Sequence, residues 1–264
     1  MDSAFILKLV LSFFVGGLWV ALATVLADKL GPKVGGLIIG LPSTVPLGLF
    51  FFAWTQSPGA AVQATTAIPL VAGINSLFLA TYAYFVRKNI GRAVLSSLSL
   101  WFILAFVLVK TRFDNYTVSL LGFGFLFLLS FFLMERVFKI ASVKGKLIRY
   151  GPLPILARAL MGGTVVSLAV YLGKIGGPLW GGIFSTFPAM FISMMLVTYF
   201  TQGALFSAGT MKSSMLSAMS VVVYAAMVRV TYIPLGLGMG TFVSILVSYG
   251  SGWVIYKFMI VKSR

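Results

Sequence analysis

The chain has 264 residues, 60% of them hydrophobic and only 9% charged, with a mean hydropathy of +1.06; soluble domains carry about 25% charged residues, which excludes a water-soluble globule and leaves a bundle of membrane-spanning helices. The formal charge of +16 comes without a long basic run or a soluble domain, so it excludes a nucleic-acid partner and becomes a signal of membrane topology. Cysteine and histidine are absent and only Asp2, Asp28, Asp114 and Glu135 are acidic, which excludes thiol, imidazole and carboxylate-pair chemistry.

Polar breaks and Gly/Pro punctuation predict nine spans, each near the 20 or so residues that cross a bilayer core. They run over residues 4–26, 34–54, 60–86, 93–110, 117–134, 153–173, 179–200, 204–228 and 234–256. The first is too long for a signal-peptide core and lacks a basic leader, so it is read as a retained helix. On an alternating path, one side receives thirteen Lys and Arg in its connections. The other receives five, Lys8, Lys110, Arg112, Lys174 and Arg229. The excess of basic residues marks the cytoplasmic side. It predicts an N-terminus outside and a C-terminus in the cytoplasm, in the inner membrane of a prokaryotic cell.

The second span opens on GPKVGGLIIGLP (Gly31–Pro42), and the seventh opens on GPLWGGIFSTFP (Gly177–Pro188). The offset of 146 holds without a gap from Ser12/Arg158 to Gln56/Gln202, with 13 identities in 45 positions. Such self-similarity marks an internal duplication. Each copy supplies four spans, and the single span between them turns the second copy over. The predicted fold is therefore an all-α integral membrane protein with nine transmembrane helices in a 4+1+4 inverted-topology repeat. Residues 1–112 form the first unit, 113–150 the linker helix and basic loop, and 151–264 the second unit. Many secondary transporters follow this plan.

Spans 2 and 7 are dense in glycine and proline, which weaken a helix and remove backbone donors. Both are expected to break and cross near the midplane, where freed carbonyls, amides and helix-end dipoles face protein or a wet cavity because lipid cannot satisfy them. Substrate contacts are expected from Gly40, Pro42, Ser43 and Thr44 in one break and from Ser185, Thr186 and Pro188 in the other. Asn75 of span 3 is a cavity candidate, with interhelical hydrogen bonding as its alternative. Arg158 and Lys212 lie within spans, where a charge costs several kcal/mol and marks a pathway unless its long stem snorkels outward. Ser12 and Thr66 are their counterparts at the repeat offset. With no intramembrane carboxylate to pair the two cations, an anionic substrate group is the natural partner. Gly16, Gly17, Gly162 and Gly163 read as close helix packing. Trp54, Trp101, Trp180 and Trp253 read as an interfacial aromatic belt.

The stretch from Gly31 through Leu108, with its GGLIIGLPSTVPLGLFFFAW segment, resembles small four-span bacterial membrane proteins of the GlpM type, which look like one copy of this unit. The crossed broken helices are also similar to the plan of sodium/proton antiporters and bile-acid symporters, although the acidic coupling residues of those families are missing here.

The function expected from these features is transport of a small, anionic solute, secondary active or facilitative, by alternating access around a midplane site. The alternatives are a lipid-handling protein that flips or binds a headgroup, and a membrane scaffold without transport. No catalytic, metal or cofactor site is expected, so the chain is not read as an enzyme. Coupling to Na+ held by carbonyl and hydroxyl oxygens is more plausible than proton coupling. Expected partners are membrane lipids, the small-molecule or ion substrate and a second copy of the chain.

Overall fold

The computed structural model describes residues 2–29, 43–141, 151–255 and 257, and all regular structure among them is helical. Helix α1 (Ser3–Lys29) runs without interruption, and the Asp2 carboxylate caps it by accepting from the Phe5 amide at 2.6 Å. Helix α2 (Val45–Thr55) follows the bend at Ser43 and Thr44, with Pro46 in its first turn, where a missing N–H costs nothing.

A break that the sequence reading passed over divides span 3 into α3 (Pro58–Ala64) and α4 (Ile68–Phe85). Pro69 cannot donate to the Thr65 carbonyl and its ring crowds that carbonyl. The turn is carried by shorter bonds, Thr66 N–H to Gln63 O at 3.0 Å and Ile68 N–H to Thr65 O at 3.2 Å. Helix α5 (Ile90–Lys110) is capped by Asn89, and α6 (Tyr116–Phe132) by Asn115. A single π-helical turn, Leu133–Val137, prolongs α6.

The second half contains α7 (Pro152–Gly176), α8 (Pro178–Ser185), α9 (Ala189–Ser214) and α10 (Ser217–Ile255). Helices α9 and α10 each reverse direction at a glycine, Gly203 with φ 84° and ψ 175° and Gly236 with φ 71° and ψ 176°. The Thr198 hydroxyl donates to Ser207 Oγ at 2.8 Å, and the Ser248 hydroxyl donates to Ser220 O at 2.7 Å. In straight helices those pairs would stand about 13 Å and 42 Å apart at 1.5 Å per residue, so each helix is a hairpin. Span 8 is then the second arm of α9 together with the first arm of α10, bent at Met215 and Leu216. The Thr210, Ser213 and Ser214 hydroxyls each bond the carbonyl four residues back, which loosens the ladder there.

Six helical stretches among the described residues are long and apolar enough to cross a membrane: 3–26, 68–85, 90–110, 116–137, 152–176 and 178–255, the last including the hairpins. Their outer faces are apolar, with Phe14, Leu95 and Leu121 at 65%, 68% and 70% exposure. Such surface belongs against lipid. The most extensive helix pairing is α1 with α7. A Cβ on Gly17 would stand 2.9 Å from Ala159 O, and one on Gly163 would collide with Phe13 O, so the paired glycines let two backbones touch. Helix α4 runs through the interior between α5, α6 and the α9 and α10 hairpins. Tyr82 at its core is fully buried, its hydroxyl 2.8 Å from Ser207 Oγ.

Candidate functional site where the start of α2 meets a helix break

Between α8 and α9 the chain leaves helical geometry over Thr186–Pro188. Pro188 has no N–H to return to Phe184 O, which instead accepts from the Phe187 amide at 3.2 Å. The Ala189 amide turns to Phe187 O at 2.9 Å, so the carbonyls of Ser185 and Thr186 are released from the backbone ladder. Side chains take both. The Thr44 hydroxyl, from the bend before α2, donates to Ser185 O at 3.4 Å. Asn75 of α4 donates from Nδ2 to Thr186 O at 2.9 Å.

Thr44, Asn75, Ser185 and Thr186 therefore meet in one buried cluster, and each is less than a tenth exposed. The start of α2 lies so close to the 186–188 break that a Cβ on Gly48 would sit 2.9 Å from Ser185 Cβ. Ser43 stands beside Thr44, half-buried, and Pro188 caps α9. Gly40 and Pro42 lie outside the described residues. The hydroxyls of Ser185 and Thr186 donate within α8, to Gly182 O at 2.8 Å and Ile183 O at 2.8 Å. Their oxygens keep lone pairs for a donor or cation.

Asn75 Oδ1 accepts from Trp101 Nε1 at 2.8 Å. This corrects the placement of Trp101 in the aromatic belt: it is fully buried, edge-on to Phe184 and Phe187 with centroids 6.0 Å and 5.0 Å away. Its position at the middle of an apolar run, away from the polar ends of span 4, was the available signal. Trp54 and Trp253 are exposed, as a belt requires.

Arg158 of α7 is only 4% exposed, so its stem does not carry the charge outward. Its Nε donates to Thr24 Oγ1 of α1 at 3.0 Å and its Nη1 to Ser193 Oγ at 3.4 Å. Ser193 lies in the second turn after the 186–188 break, so the guanidinium stands beside the positive N-terminal end of α9. Thr24 and Ser193 were missed by sequence reasoning, because hydroxyls in apolar helices most often bond their own backbone.

Lys212 stands apart from this cluster, and the expectation that no carboxylate pairs with it is corrected. It forms an ion pair with Glu135 in the π-helical turn after α6, and Nζ donates to Ile140 O at 2.8 Å. Glu135 lies one residue past the span read over 117–134, within the π turn that prolongs α6. Arg229, read as a connecting-loop residue, instead lies within the first arm of α10.

Residues 9–114 match the family described as a protein of unknown function (DUF3147). No curated protein and no solved structure matches the chain. The DUF3147 match includes Thr44, Asn75 and Trp101 and stops before α6 and the second half. One face of the crossing is thus DUF3147-like, while Ser185, Thr186 and Arg158 lie beyond it.

Proposed function

We propose that the chain is a multi-pass transporter for a small anionic solute, built from nine spans as an inverted 4+1+4 repeat and working by alternating access around the crossed breaks. The observation that carries this reading is the contact between the bend before α2 and the break between α8 and α9, Thr44 against Ser185 O, with Arg158 buried against the second turn of α9. Interrupted helices leave unpaired backbone groups that a transported ion or solute engages and releases. At the crossing those groups are held by single neutral hydrogen bonds, each worth about 1 kcal/mol net and so within reach of ligand competition. Arg158 and the N-terminal end of α9 supply positive potential for an anion.

The duplication is supported by where the chain bends. Ser57 before α3 and Gly203 at the α9 reversal are 146 residues apart. The DUF3147 match ends at 114, where the first four spans end, as expected of a unit that also occurs singly. The orientation with the C-terminus in the cytoplasm rests on the basic connections.

Uptake into liposomes holding the purified protein tests the proposal, with labelled lactate, succinate and inorganic phosphate, with and without a Na+ gradient. Saturable entry of one of them that Arg158→Gln reduces at least tenfold supports it. Absence of entry for every anion, with folded protein in the liposomes, counts against it.

A second reading, lipid handling, has one observation in its favour. A cleft of about 330 Å³ beside the break is open on one side and walled by Phe102, Leu160, Val165, Leu168, Phe184 and Phe187. An acyl chain suits that lining. Transfer of labelled phosphatidylglycerol between leaflets, without solute uptake, would favour this reading.

A further inference from the structure

Arg229 presents a second cationic site, remote in sequence from the crossed breaks. Its Nη1 donates to Val62 O at 3.3 Å, Thr65 Oγ1 at 3.2 Å and Thr66 Oγ1 at 3.1 Å, at the end of α3 and the turn that follows. The guanidinium carbon lies 4.1 Å from the ring centre of Tyr116, the first residue of α6. All three acceptors are neutral and all engage one nitrogen. Among the described residues nothing accepts from Nε or Nη2, and no carboxylate forms an ion pair with this residue. Asp114 is two residues from Tyr116, but it is exposed and unpaired with Arg229.

A half-buried guanidinium without a counter-charge is costly in a membrane protein. Tyr116 has a second deficit, because its hydroxyl oxygen is buried and has no hydrogen-bond partner. Buried hydroxyls are nearly always satisfied, so an orphan beside an unpaired cation points to a missing acceptor. The Thr65 hydroxyl already donates to Val62 O at 2.6 Å, whereas the Thr66 hydroxyl has no acceptor among the described residues. The unspent donors are three guanidinium N–H groups, the Thr66 O–H and the Tyr116 O–H. A carboxylate offers about four lone-pair sites, fewer than these five donors; a phosphate offers more, on oxygens spread in three dimensions.

We propose that Arg229, Thr66 and Tyr116 form a binding site for a phosphate group, separate from the crossing of the breaks. Phosphate binds as the guanidinium slides off the tyrosine ring, which uncovers the hydroxyl. The proposal is independent of transport and stands or falls by binding. Two sources share the chemistry, a soluble phosphate and the headgroup of an anionic phospholipid.

The test follows thermal unfolding of the full-length protein in a neutral detergent. One arm adds inorganic phosphate against chloride at matched ionic strength, and the other adds phosphatidylglycerol against phosphatidylcholine. Saturable stabilisation in either arm is expected, by mass action on the folded state. Response to free phosphate indicates a soluble ligand; response to phosphatidylglycerol alone indicates a lipid.

Tyr116→Phe is the deciding variant, because it removes a hydroxyl that bonds nothing and leaves the ring under Arg229. Its ligand-free unfolding temperature should equal or exceed that of the wild type, while its affinity for the stabilising phosphate falls about tenfold, as loss of one hydrogen bond to a charged group implies. Arg229→Gln should remove the response, and Arg158→Gln should keep it. Undiminished binding by Tyr116→Phe, or no stabilisation in either arm, would overturn the site and leave the transport proposal to its own uptake test.

Discussion

Replacing Asn75 with leucine gives the sharpest test of how the break is held. Leucine keeps the volume and removes both polar atoms. Trp101 Nε1, 2.8 Å from Asn75 Oδ1, and Thr186 O, 2.9 Å from Nδ2, then lose their partners inside a cluster where Trp101 is fully buried. A buried polar group left unpaired costs about 1–3 kcal/mol, so two give a loss of about 2–6 kcal/mol. The loss is measured by unfolding the purified protein in mixed micelles with increasing sodium dodecyl sulfate. Trp101→Phe removes the indole donor, so in the Asn75→Leu/Trp101→Phe double variant only the Thr186 carbonyl is stranded. The coupling between the two changes should be about 1–2 kcal/mol in the rescuing direction. A loss below about 0.5 kcal/mol for Asn75→Leu would show that neither hydrogen bond holds the break, and strict additivity in the pair would show that the indole bond does not.

Three further outcomes follow from the geometry. Gly163→Ala pushes a Cβ into Phe13 O across the α1–α7 contact and should destabilise by about 1–3 kcal/mol, whereas Gly124→Ala, with nothing within 4 Å of the added atom, should be neutral or slightly stabilising in the same titration. Gly203→Ala and Gly236→Ala force side chains into a region of backbone space that is nearly exclusive to glycine, at about 1–3 kcal/mol each, and should loosen the hairpins as seen by hydrogen exchange across 195–210 and 230–245. Lys212→Met should cost under about 1 kcal/mol, since the side chain of Glu135 is 44% exposed and water can take over the stranded carboxylate; a severe loss of solute binding would instead return Lys212 to the candidate site.

The membrane class and the break at Pro188 were legible because each has a one-dimensional signature: long apolar runs, and a residue that cannot donate. The α1–α7 glycine contact was legible too, since small residues at facing positions have one dominant use in membranes. Pro69 was missed because it stands without the glycine cluster and the repeat counterpart that marked Pro188: at the offset of 146 its partner is Met215. The mid-span position of Trp101 spoke against an interfacial belt, but its partners, like those of Thr24 and Ser193, were not legible. Whether an indole or hydroxyl in an apolar helix faces lipid or a neighbour depends on helix rotation, which apolar runs without a polar face do not encode. Glu135 was lost to a different cause, a π turn that shifts its register at the end of α6.

The proposed cycle makes unequal demands on the two close approaches in the molecule, and disulfides can tell them apart. The chain has no cysteine of its own, so an introduced pair has one way to close. In the α1–α7 contact, a Cβ at Gly162 would stand 3.0 Å from Val20 Cβ, and at the crossing a Cβ at Gly48 would stand 2.9 Å from Ser185 Cβ. Both separations lie about 0.5 Å under the usual disulfide range, and a small relaxation brings either within it. Glycine-packed backbones leave no room for sliding, so α1 and α7 should move as one body. The Thr44–Ser185 contact is a single 3.4 Å hydrogen bond between the bend before α2 and the end of α8, and is the place to open. Val20→Cys/Gly162→Cys should therefore keep anion uptake when oxidised. Gly48→Cys/Ser185→Cys should lose it and regain it with a reducing agent. Full uptake through the oxidised Gly48–Ser185 pair would mean that the breaks never part during transport, and the solute would have to pass elsewhere.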